Sequence, residues 1–267
     1  MTKLFAFLYR DFLITLSYRF RLLLSLMGMV AAIAMLFFMG KMFQNGFSMY
    51  LARYGNDYFA FALLGMCVST FVSTGLYSLS SSVREAQMQG TLEVLLVTPT
   101  SANLILFGNS LWSFIQAFLM TVLYLGLTIL IVGLHVSVAR ILLVFLVLVL
   151  TFICFLSLGM VSAAFIMTFK QGNPINLIFG ASSYFFGGIF FPVEVLPKVL
   201  QGFSFILPIS HATRAVRELL LVSGSSGEWR YTMAYLAVFS VILFPLGLLS
   251  LRLALSRAKK EGSLVQF

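Results

Sequence analysis

The chain has 267 residues, of which 61% are hydrophobic and 9% are charged, and its mean hydropathy is +1.04. A composition this apolar excludes a soluble globular domain and indicates an integral membrane protein. The formal net charge of +9 does not indicate a nucleic-acid partner, because the 17 Lys and Arg residues are scattered between apolar runs. Anionic lipid headgroups and cytoplasmic loops account for these charges better than nucleic acid does.

Residues 1–21 predict an amphipathic helix that lies in the membrane interface. Apolar residues recur at every fourth position, while basic and small polar residues lie away from that stripe. The stripe consists of Leu4, Leu8, Phe12, Leu16 and Phe20. This pattern is typical of helices that lie in the plane of the headgroups. A plain cytoplasmic extension of the first span is the alternative interpretation.

Six apolar runs follow, and each approaches or exceeds the ~20 residues that cross a hydrocarbon core of ~30 Å. The runs are 22–40, 58–80, 103–134, 141–169, 175–191 and 231–251. We therefore predict a single all-α membrane domain over residues 1–267, with six transmembrane helices. The fifth run is short and rich in glycine, which suggests that its helix ends within the bilayer.

The distribution of Lys and Arg predicts the orientation of the chain. An even number of spans places both termini on the same side of the membrane. With cytoplasmic termini, the inner segments hold ten Lys and Arg residues and the outer segments hold seven. Eight of those ten lie close to the two termini, where the positive-inside rule has most weight. We expect a multi-pass plasma (inner) membrane protein with both termini in the cytoplasm.

The polar segment between the second and third runs, 84–101, reads REAQMQGTLEVLLVTPTS and predicts a cytoplasmic helix. Ser82 and Glu85 have the spacing of a capping box, and Pro99 cannot continue a helix, so the predicted helix covers 83–97. Gly90 would cost ~1 kcal/mol relative to alanine inside it, which indicates close backbone approach or a joint between two short helices. By spacing alone, an ordinary polar loop remains an alternative.

The last external segment, 192–230, predicts two short helices that dip back into the outer leaflet. Apolar residues recur at helical spacing on both sides of Pro208, and the segment is too long for a plain turn. Arg214 and Glu218 have the spacing of an ion pair on the polar face of the second helix. A soluble extracellular cap is the alternative, although the segment holds few charges.

Two stretches resemble permeases of the ABC-2 type, the membrane subunits of type 2 ATP-binding-cassette exporters. QGTLEVLLVTPTS, 89–101, resembles the segment after the second span of that family. GGIFFPVEVLPKVLQGFSFILPISHATRAVREL, 187–219, is similar to the family's signature around the fifth span. The resemblance implies a permease that forms a homodimer and binds two ABC ATPase subunits on its cytoplasmic face. ATP and Mg would be bound by those partners, and no cofactor by this chain.

The resemblance also implies where the functional residues lie. The helix predicted at 83–97 would be the coupling helix that docks in the ATPase. The residues expected at this contact are Arg84, Glu85, Gly90, Thr91, Leu92, Glu93, Leu95, Leu96 and Pro99. The substrate path would lie between two permease copies and be lined by the first, second and fifth spans. Candidate lining residues are Met35, Phe38, Met66, Phe71, Tyr184 and Phe185. Such side chains suit an amphipathic or lipid-like substrate, although packing or lipid contact would also explain them, and the resemblance implies a lipid-like molecule, a drug or a lipid-linked glycan.

The sequence lacks the chemistry that would indicate other functions. The six runs contain no Asp, Glu, Lys, Arg or His, which argues against ion-coupled transport and against catalysis. No Walker A pattern is present, so ATP is not expected to bind this chain. His135 and His211 have no second ligand at metal-binding spacing, and Cys67 and Cys154 lie inside apolar runs. We therefore expect no catalytic and no metal site.

Two alternatives from other classes remain open at this point. A membrane-embedded lipid-modifying enzyme would need a buried polar constellation that the sequence does not reveal. An assembly factor would dock a cytoplasmic partner without transporting anything. Association with an ATPase and stimulation of that ATPase by lipid would separate both from an exporter.

Overall fold

A computed structural model describes residues 2–43, 48–90, 102–133, 136–169, 173–222 and 227–261. These residues form ten α-helices and two short 3₁₀ turns, with no β-strand among them. The α-helices are α1 Thr2–Ser17, α2 Arg19–Phe43, α3 Ser48–Leu51, α4 Tyr58–Met88, α5 Ala102–Val132, α6 Val138–Phe169, α7 Pro174–Phe186, α8 Lys198–Ile206, α9 Pro208–Leu221 and α10 Glu228–Glu261. The 3₁₀ turns are Ala52–Tyr54 and Val193–Val195. The all-α prediction is confirmed for this part of the chain.

Five helices are long and apolar enough to cross a membrane. The candidate spans are Leu23–Met42, Tyr58–Met88, Ser110–Val132, Val138–Phe169 and Glu228–Ala258. They coincide with five of the six predicted runs. The sixth, 175–191, contains α7, whose 13 residues extend only ~20 Å and cannot cross a ~30 Å core alone. The layout of six complete spans therefore stays a prediction.

The helix α4 is the centre of the bundle. It packs against α2, α5, α6, α7 and α9, and most of its residues are buried. Its closest contact is with α6, where a Cβ added at Gly159 would lie 2.6 Å from the carbonyl oxygen of Gly75. Only glycine at both positions lets the two backbones approach so closely, because any side chain there would push the helices apart. The central pair α4 and α6 is thus fixed near the middle of α4.

The N-terminal helix α1 follows α5 rather than α2. Trp112 on α5 donates a hydrogen bond from Nε1 to Thr15 Oγ1 at 3.2 Å, and its ring packs edge-on against Phe12 at 6.1 Å. The helix α2 instead packs against α4, through Phe37 and Phe59 at 5.9 Å. Two helices that follow different partners favour a separate α1 over a plain extension of the first span. Its interfacial position stays a prediction.

The predicted helix start at Val83 is wrong, because α4 continues without a break to Met88. Ser82 does not cap a helix: its hydroxyl donates 2.8 Å back to the carbonyl oxygen of Ser78 inside α4. The S-x-x-E spacing also occurs within helices, where a serine hydroxyl bonds the preceding turn. The helix α4 ends at Met88, and Gly90 follows in the left-handed region, with φ +65°. Residues 91–100 lie outside the described part of the chain.

Candidate functional site

The C-terminal end of α4, which the predicted orientation places in the cytoplasm, presents exposed polar and apolar side chains side by side. Arg84, Glu85, Met88 and Gln89 are exposed, and with Ser81 they line a shallow open groove. Met88 is 75% exposed, although it is a large apolar residue at the end of a mostly buried helix. The polar members make few contacts beyond a 3.3 Å hydrogen bond from Gln89 Nε2 to Glu85 Oε1. This surface is suited to a protein partner.

A buried polar atom lies beside the same surface. Gln87 is 7% exposed, and its Oε1 has no hydrogen-bond partner among the described residues. A buried amide oxygen normally accepts a bond, so its acceptor capacity is open to a group from elsewhere. At Gly90, an added Cβ would meet nothing within 4 Å, so the close approach predicted there is not made by the described chain itself. The positive φ of Gly90 explains that glycine instead.

The remaining residues predicted at this contact lie outside the described part of the chain. They are Thr91, Leu92, Glu93, Leu95, Leu96 and Pro99. The structure therefore brings together Arg84, Glu85 and Gly90 at the end of α4 and leaves the rest of the predicted coupling segment as a prediction.

The six predicted path residues do not share one environment. Met35 and Phe38 on α2 are each 64% exposed, and Tyr184 and Phe185 on α7 are also exposed. Met66 on α4 is partly buried against the core. Phe71 is fully buried, with its ring 5.7 Å from that of Phe114, and its place on a path stays a prediction. Its phenyl group faces α5 and fills the core.

The structure reveals a hydroxyl-bearing stripe on α4 that the sequence reasoning missed. Between Tyr58 and Ser80, the residues that keep some exposure are Met66, Thr70, Ser73, Thr74 and Tyr77. They recur at spacings of three and four, so they lie on one face of the helix. Four of the five carry hydroxyl groups. This spacing was readable from the sequence, but it was hidden by the many other serines of the same helix.

The stripe differs chemically from the exposed surfaces of other spans. The exposed large hydrophobic residues of α5 within its candidate span are Leu111, Phe118, Leu119, Val122, Leu123, Leu130 and Ile131, and Gln116 is the one polar residue exposed among the described side chains of that span. Those of α10 from its second turn inward are Val238, Val241, Ile242, Leu246, Leu249 and Leu253. Faces like these are what contact with lipid tails requires, whereas hydroxyl groups gain nothing from it. The stripe on α4 is therefore better suited to a protein-lined or wet space than to lipid.

A polar network holds the N-terminal end of α7 to its neighbours. Asn173 caps α7, and its Oδ1 accepts bonds from the Asn176 backbone N–H at 3.1 Å and from the Ser162 hydroxyl at 2.5 Å. Asn176 donates from Nδ2 to Ser80 Oγ at 2.7 Å. The Tyr77 hydroxyl donates to the Asn176 carbonyl oxygen at 3.2 Å. These bonds tie α7 to both α4 and α6 and set the edge of the hydroxyl stripe.

The outer end of α7 is completed by side chains from the two helices that follow. Because the predicted orientation places them outside, we call residues 186–221, which comprise the end of α7, α8 and α9, the outer unit. The carbonyl oxygen of Phe186 accepts from Ser204 Oγ at 2.6 Å and from Ser210 Oγ at 3.0 Å. Thr213 Oγ1 donates to the Gly187 carbonyl at 3.0 Å. A buried helix end needs such donors, because its last carbonyl groups have no partner within the helix.

Arg217 donates hydrogen bonds to the next two carbonyl groups of the chain. Its Nη1 donates to the Gly188 carbonyl at 2.7 Å, and its Nη2 to the Ile189 carbonyl at 2.9 Å. Nε and Nη2 also donate to the carbonyl oxygen of Phe61 on α4, at 3.1 and 2.9 Å. Arg217 is only 3% exposed. From the sequence alone, Arg217 belongs to the predicted external segment 192–230 and has no predicted role.

The polar face predicted for the second external helix is partly wrong. Arg217 and Glu218 are both buried, and the ion pair that the structure shows for Arg214 is with Glu194, at 3.5 Å. The Arg214 guanidinium also lies 4.5 Å from the ring centroid of Phe205. These contacts tie α9 to α8 and to the turn before it, which is why the charges of α9 point to different sides.

Two further contacts attach the outer side of the bundle to α10. The ring of His211 stacks on Tyr235 at 3.9 Å, and burial lowers the pKa of His211, so the ring is neutral at pH 7. Arg53 pairs with Glu228 at the start of α10, and this hydrogen bond raises the pKa of Arg53. Among the described residues, no three His, Cys, Asp or Glu side chains are grouped to hold a metal ion. His135 lies outside them.

Comparison with known proteins gives one family and several relatives. Residues 2–221 match the family described as ABC-2 type transporter. The chain is similar to Nodulation protein J of Sinorhizobium fredii (strain NBRC 101917 / NGR234), at 28% identity over 205 residues, which cover 74% of this chain and 76% of that protein. It is also similar to the inner membrane transport permease YadH of Escherichia coli (strain K12), at 24% identity over 164 residues, which cover 61% and 63%.

Proposed function

Because this chain belongs to the ABC-2 type transporter family, we propose that it is the permease subunit of an ABC exporter whose energy comes from ATP hydrolysis in a separate subunit. The main observation that supports this proposal is the continuity of α4. One uninterrupted helix carries the hydroxyl stripe within its apolar span and the exposed groove of Arg84, Glu85 and Met88 at its cytoplasmic end. A movement imposed at that end is thus transmitted directly to the face that would line the path.

The coupling contact is proposed to include the end of α4 and the segment after it, up to Pro99. Exposed Arg84 and Glu85 offer charges of both signs, and Met88 offers an adaptable apolar contact. The ATPase would bind ATP and Mg, and two such subunits would serve a permease homodimer. Closure of the ATPase pair would move the docked segments and shift the permease between an inward-closed and an outward-open packing.

The substrate path is proposed to run along the hydroxyl stripe between two permease copies. Apolar side chains of α2 and α7, among them Met35, Phe38 and Phe185, are exposed on helices that pack beside α4. A path with hydroxyl groups on α4 and apolar walls suits an amphipathic or lipid-like molecule, including a lipid-linked glycan or a drug. It would be taken from the cytoplasm or the inner leaflet and moved outward. We place the chain in the inner membrane, where the name of the relative YadH places that protein.

The test pairs two glycines that share a backbone conformation but lie at opposite ends of the bundle. Gly90 and Gly133 both have positive φ, +65° and +70°, and neither has a neighbour within 4 Å of an added Cβ. Leucine at either site therefore carries the same backbone strain, about 1–2 kcal/mol. Gly90→Leu is expected to abolish ATPase association and transport, because a leucine would also fill the docking surface. Gly133→Leu is expected to retain both.

A change of charge at Glu93 gives a second, independent test of the coupling contact. Glu93 is the only charged residue of the segment after Gly90, up to Ser101. Glu93→Lys is expected to weaken docking by a few kcal/mol, since a charge-assisted contact becomes repulsive, while Glu93→Gln should have a smaller effect. The readouts are co-purification with the ATPase and hydrolysis of ATP by the complex in lipid vesicles. Full ATPase binding by both Gly90→Leu and Glu93→Lys would show that this segment is not the coupling contact.

A further inference from the structure

The outer unit is held together mainly by its own hydrogen bonds. The bonds from Ser204, Ser210 and Thr213 to the carbonyl oxygens of Phe186 and Gly187 all begin and end within residues 186–221. Donors and acceptors that belong to the same unit stay together when that unit moves. The end of α7, α8 and α9 can therefore shift relative to α4 without exposing the carbonyl groups at the end of α7.

The Arg217 side chain bonds to both the outer unit and α4. Two of its hydrogen bonds end inside the outer unit, on Gly188 and Ile189, and two end on the carbonyl oxygen of Phe61 in α4. Its guanidinium carbon also lies 3.3 Å from the centroid of the Phe61 ring. Every hydrogen bond that the structure shows for this guanidinium ends on a main-chain carbonyl. Arg217 thus provides a polar attachment of the outer unit to α4.

The surface of α4 is shaped to receive this attachment. A Cβ added at Gly65 would overlap the carbonyl oxygen of Ile189 and would lie 2.8 Å from Arg217 Nη2. Glycine at this position lets the outer unit sit directly on the α4 backbone. Because Gly65 follows Tyr58, the first residue of α4, by seven positions, the contact lies ~10 Å along the helix from its outer end.

A guanidinium in this position favours a contact that can be released. Burial removes the hydration of the charge, and carbonyl dipoles replace that hydration only in part. If the outer unit moves away from α4, water enters and hydrates the guanidinium again. Separating the outer unit from α4 therefore costs less free energy than separating an apolar contact of the same size. In the closed arrangement, the several hydrogen bonds and the aromatic ring act together.

We propose that Arg217 is a releasable tether that holds the outer unit against α4, and that the strength of this tether sets how often the outer end of the path opens to water. The proposal rests on the assignment of the chain as a permease whose outer unit faces the outside. Lysine cannot replace the arginine, because its single ammonium group cannot donate to three separated carbonyl oxygens in the planar geometry that the guanidinium provides.

The experiment measures access to a buried position one turn below the contact. Ser69 is 8% exposed and lies on the same face of α4 as Gly65, so Ser69→Cys places a thiol behind the closed outer unit. The chain is expressed in intact cells with Cys67 and Cys154 replaced by alanine and is labelled with an impermeant maleimide. Arg217→Lys and Gly65→Ala are each expected to raise the labelling rate about tenfold, the shift in an equilibrium that the loss of one charge-assisted hydrogen bond produces.

Matched variants control for nonspecific damage. Arg214→Lys makes the same change on an arginine of α9 that is not buried, and Gly202→Ala adds a methyl group where nothing lies within 4 Å. Both should leave labelling at Ser69→Cys low. If Arg217→Lys fails to reach the membrane, Gly65→Ala decides, since it weakens the same contact without altering Arg217. Unchanged labelling in Gly65→Ala, with normal expression, would overturn the proposal.

A second thiol separates failure of the tether from failure of the proposed function. Lys198 is exposed at the start of α8, so Lys198→Cys should be labelled from outside in every variant. Absence of labelling there would refute the external placement, and the tether with it. Increased labelling at Ser69→Cys in a chain that binds no ATPase would support the tether and refute only the proposed exporter function.

Discussion

The two ends of α4 differ in how far this chain satisfies its own polar groups. At the outer end, serine, threonine and arginine side chains of the outer unit bond the carbonyl oxygens that follow α7, and Arg217 reaches Phe61 on α4. At the cytoplasmic end, Arg84, Glu85 and Met88 are exposed, and the buried Oε1 of Gln87 has no partner among the described residues. Within the part of the chain that the structure describes, the outer unit bonds its own carbonyl groups, whereas the side chains at the C-terminal end of α4 are exposed or, at Gln87 Oε1, without a partner.

The largest effect on stability is expected at Arg217. Arg217→Met keeps much of the side-chain volume but removes every donor, which leaves buried carbonyl oxygens of Phe61, Gly188 and Ile189 with fewer partners. We expect a loss of about 3 kcal/mol in the free energy of unfolding, because buried acceptors lose charge-assisted bonds. Thermal unfolding of the purified chain in detergent would measure it. Arg214→Met, at a partly exposed site, should change the melting temperature little.

The next effect is expected from two serines that share one acceptor. Ser204 and Ser210 both donate to the Phe186 carbonyl, and their hydroxyl oxygens are 2.9 Å apart. Either serine can serve Phe186 alone, so each single alanine variant should cost about 0.5–1 kcal/mol. The double variant should cost more than the sum, about 2–3 kcal/mol, because the carbonyl is then left without a side-chain donor. Additive melting shifts would mean that the two bonds are independent.

A smaller effect is expected from the exposed ion pair between Arg53 and Glu228. Both side chains are more than half exposed, so Arg53→Gln should cost at most about 0.5 kcal/mol. The pair raises the pKa of Arg53, so its contribution is complete below the ordinary arginine pKa and is lost only at strongly alkaline pH. Unfolding measured between pH 6 and pH 9 should therefore show no pH dependence from this pair. A dependence in that range would place another titrating group at the contact.

The smallest effect on the isolated chain is expected at the cytoplasmic end of α4. Arg84→Ala and Met88→Ser change exposed side chains, so each should alter the free energy of unfolding by less than about 0.5 kcal/mol. The same variants should reduce co-purification with the ATPase if this end is completed by a partner. A large loss of stability in the purified chain, with ATPase binding intact, would show that this end of α4 supports the fold and does not bind a partner.

The long apolar elements could be predicted from the sequence, because length and hydropathy alone specify a span. Five of the predicted runs coincide with full-length apolar helices. The end of α7 at Phe186 could not be located, since the donors that allow it, Ser204, Ser210 and Thr213, come from residues 18 to 27 positions later. Such an ending depends on tertiary contacts that no local pattern reports.

The candidate sites were predictable only in part, for similar reasons. The exposed turn of Arg84 and Glu85 was recognised from its charge, but Ser82 was misread as a cap because a helix-interior serine has the same spacing to Glu85. Arg217 was read as an external charge, because a pattern of charges does not show which one turns inward. The sequence shows the helical spacing of the stripe that contains Thr70 and Tyr77. Only the structure shows that the rest of the helix between Tyr58 and Ser80 is buried, which sets these residues apart.

If α4 moves as a rigid rod, its close contact with α6 at Gly75 and Gly159 predicts a pivot near the middle of the helix. Gly75 lies 13 residues from Met88 and 14 residues from Phe61, so the two arms are ~20 and ~21 Å long. A rigid rod held at that point and pushed at its cytoplasmic tip swings its outer arm the opposite way by almost the same distance. Spin labels at the two ends would report equal and opposite displacements during ATP hydrolysis. Displacement of the cytoplasmic end alone would show that the rod bends.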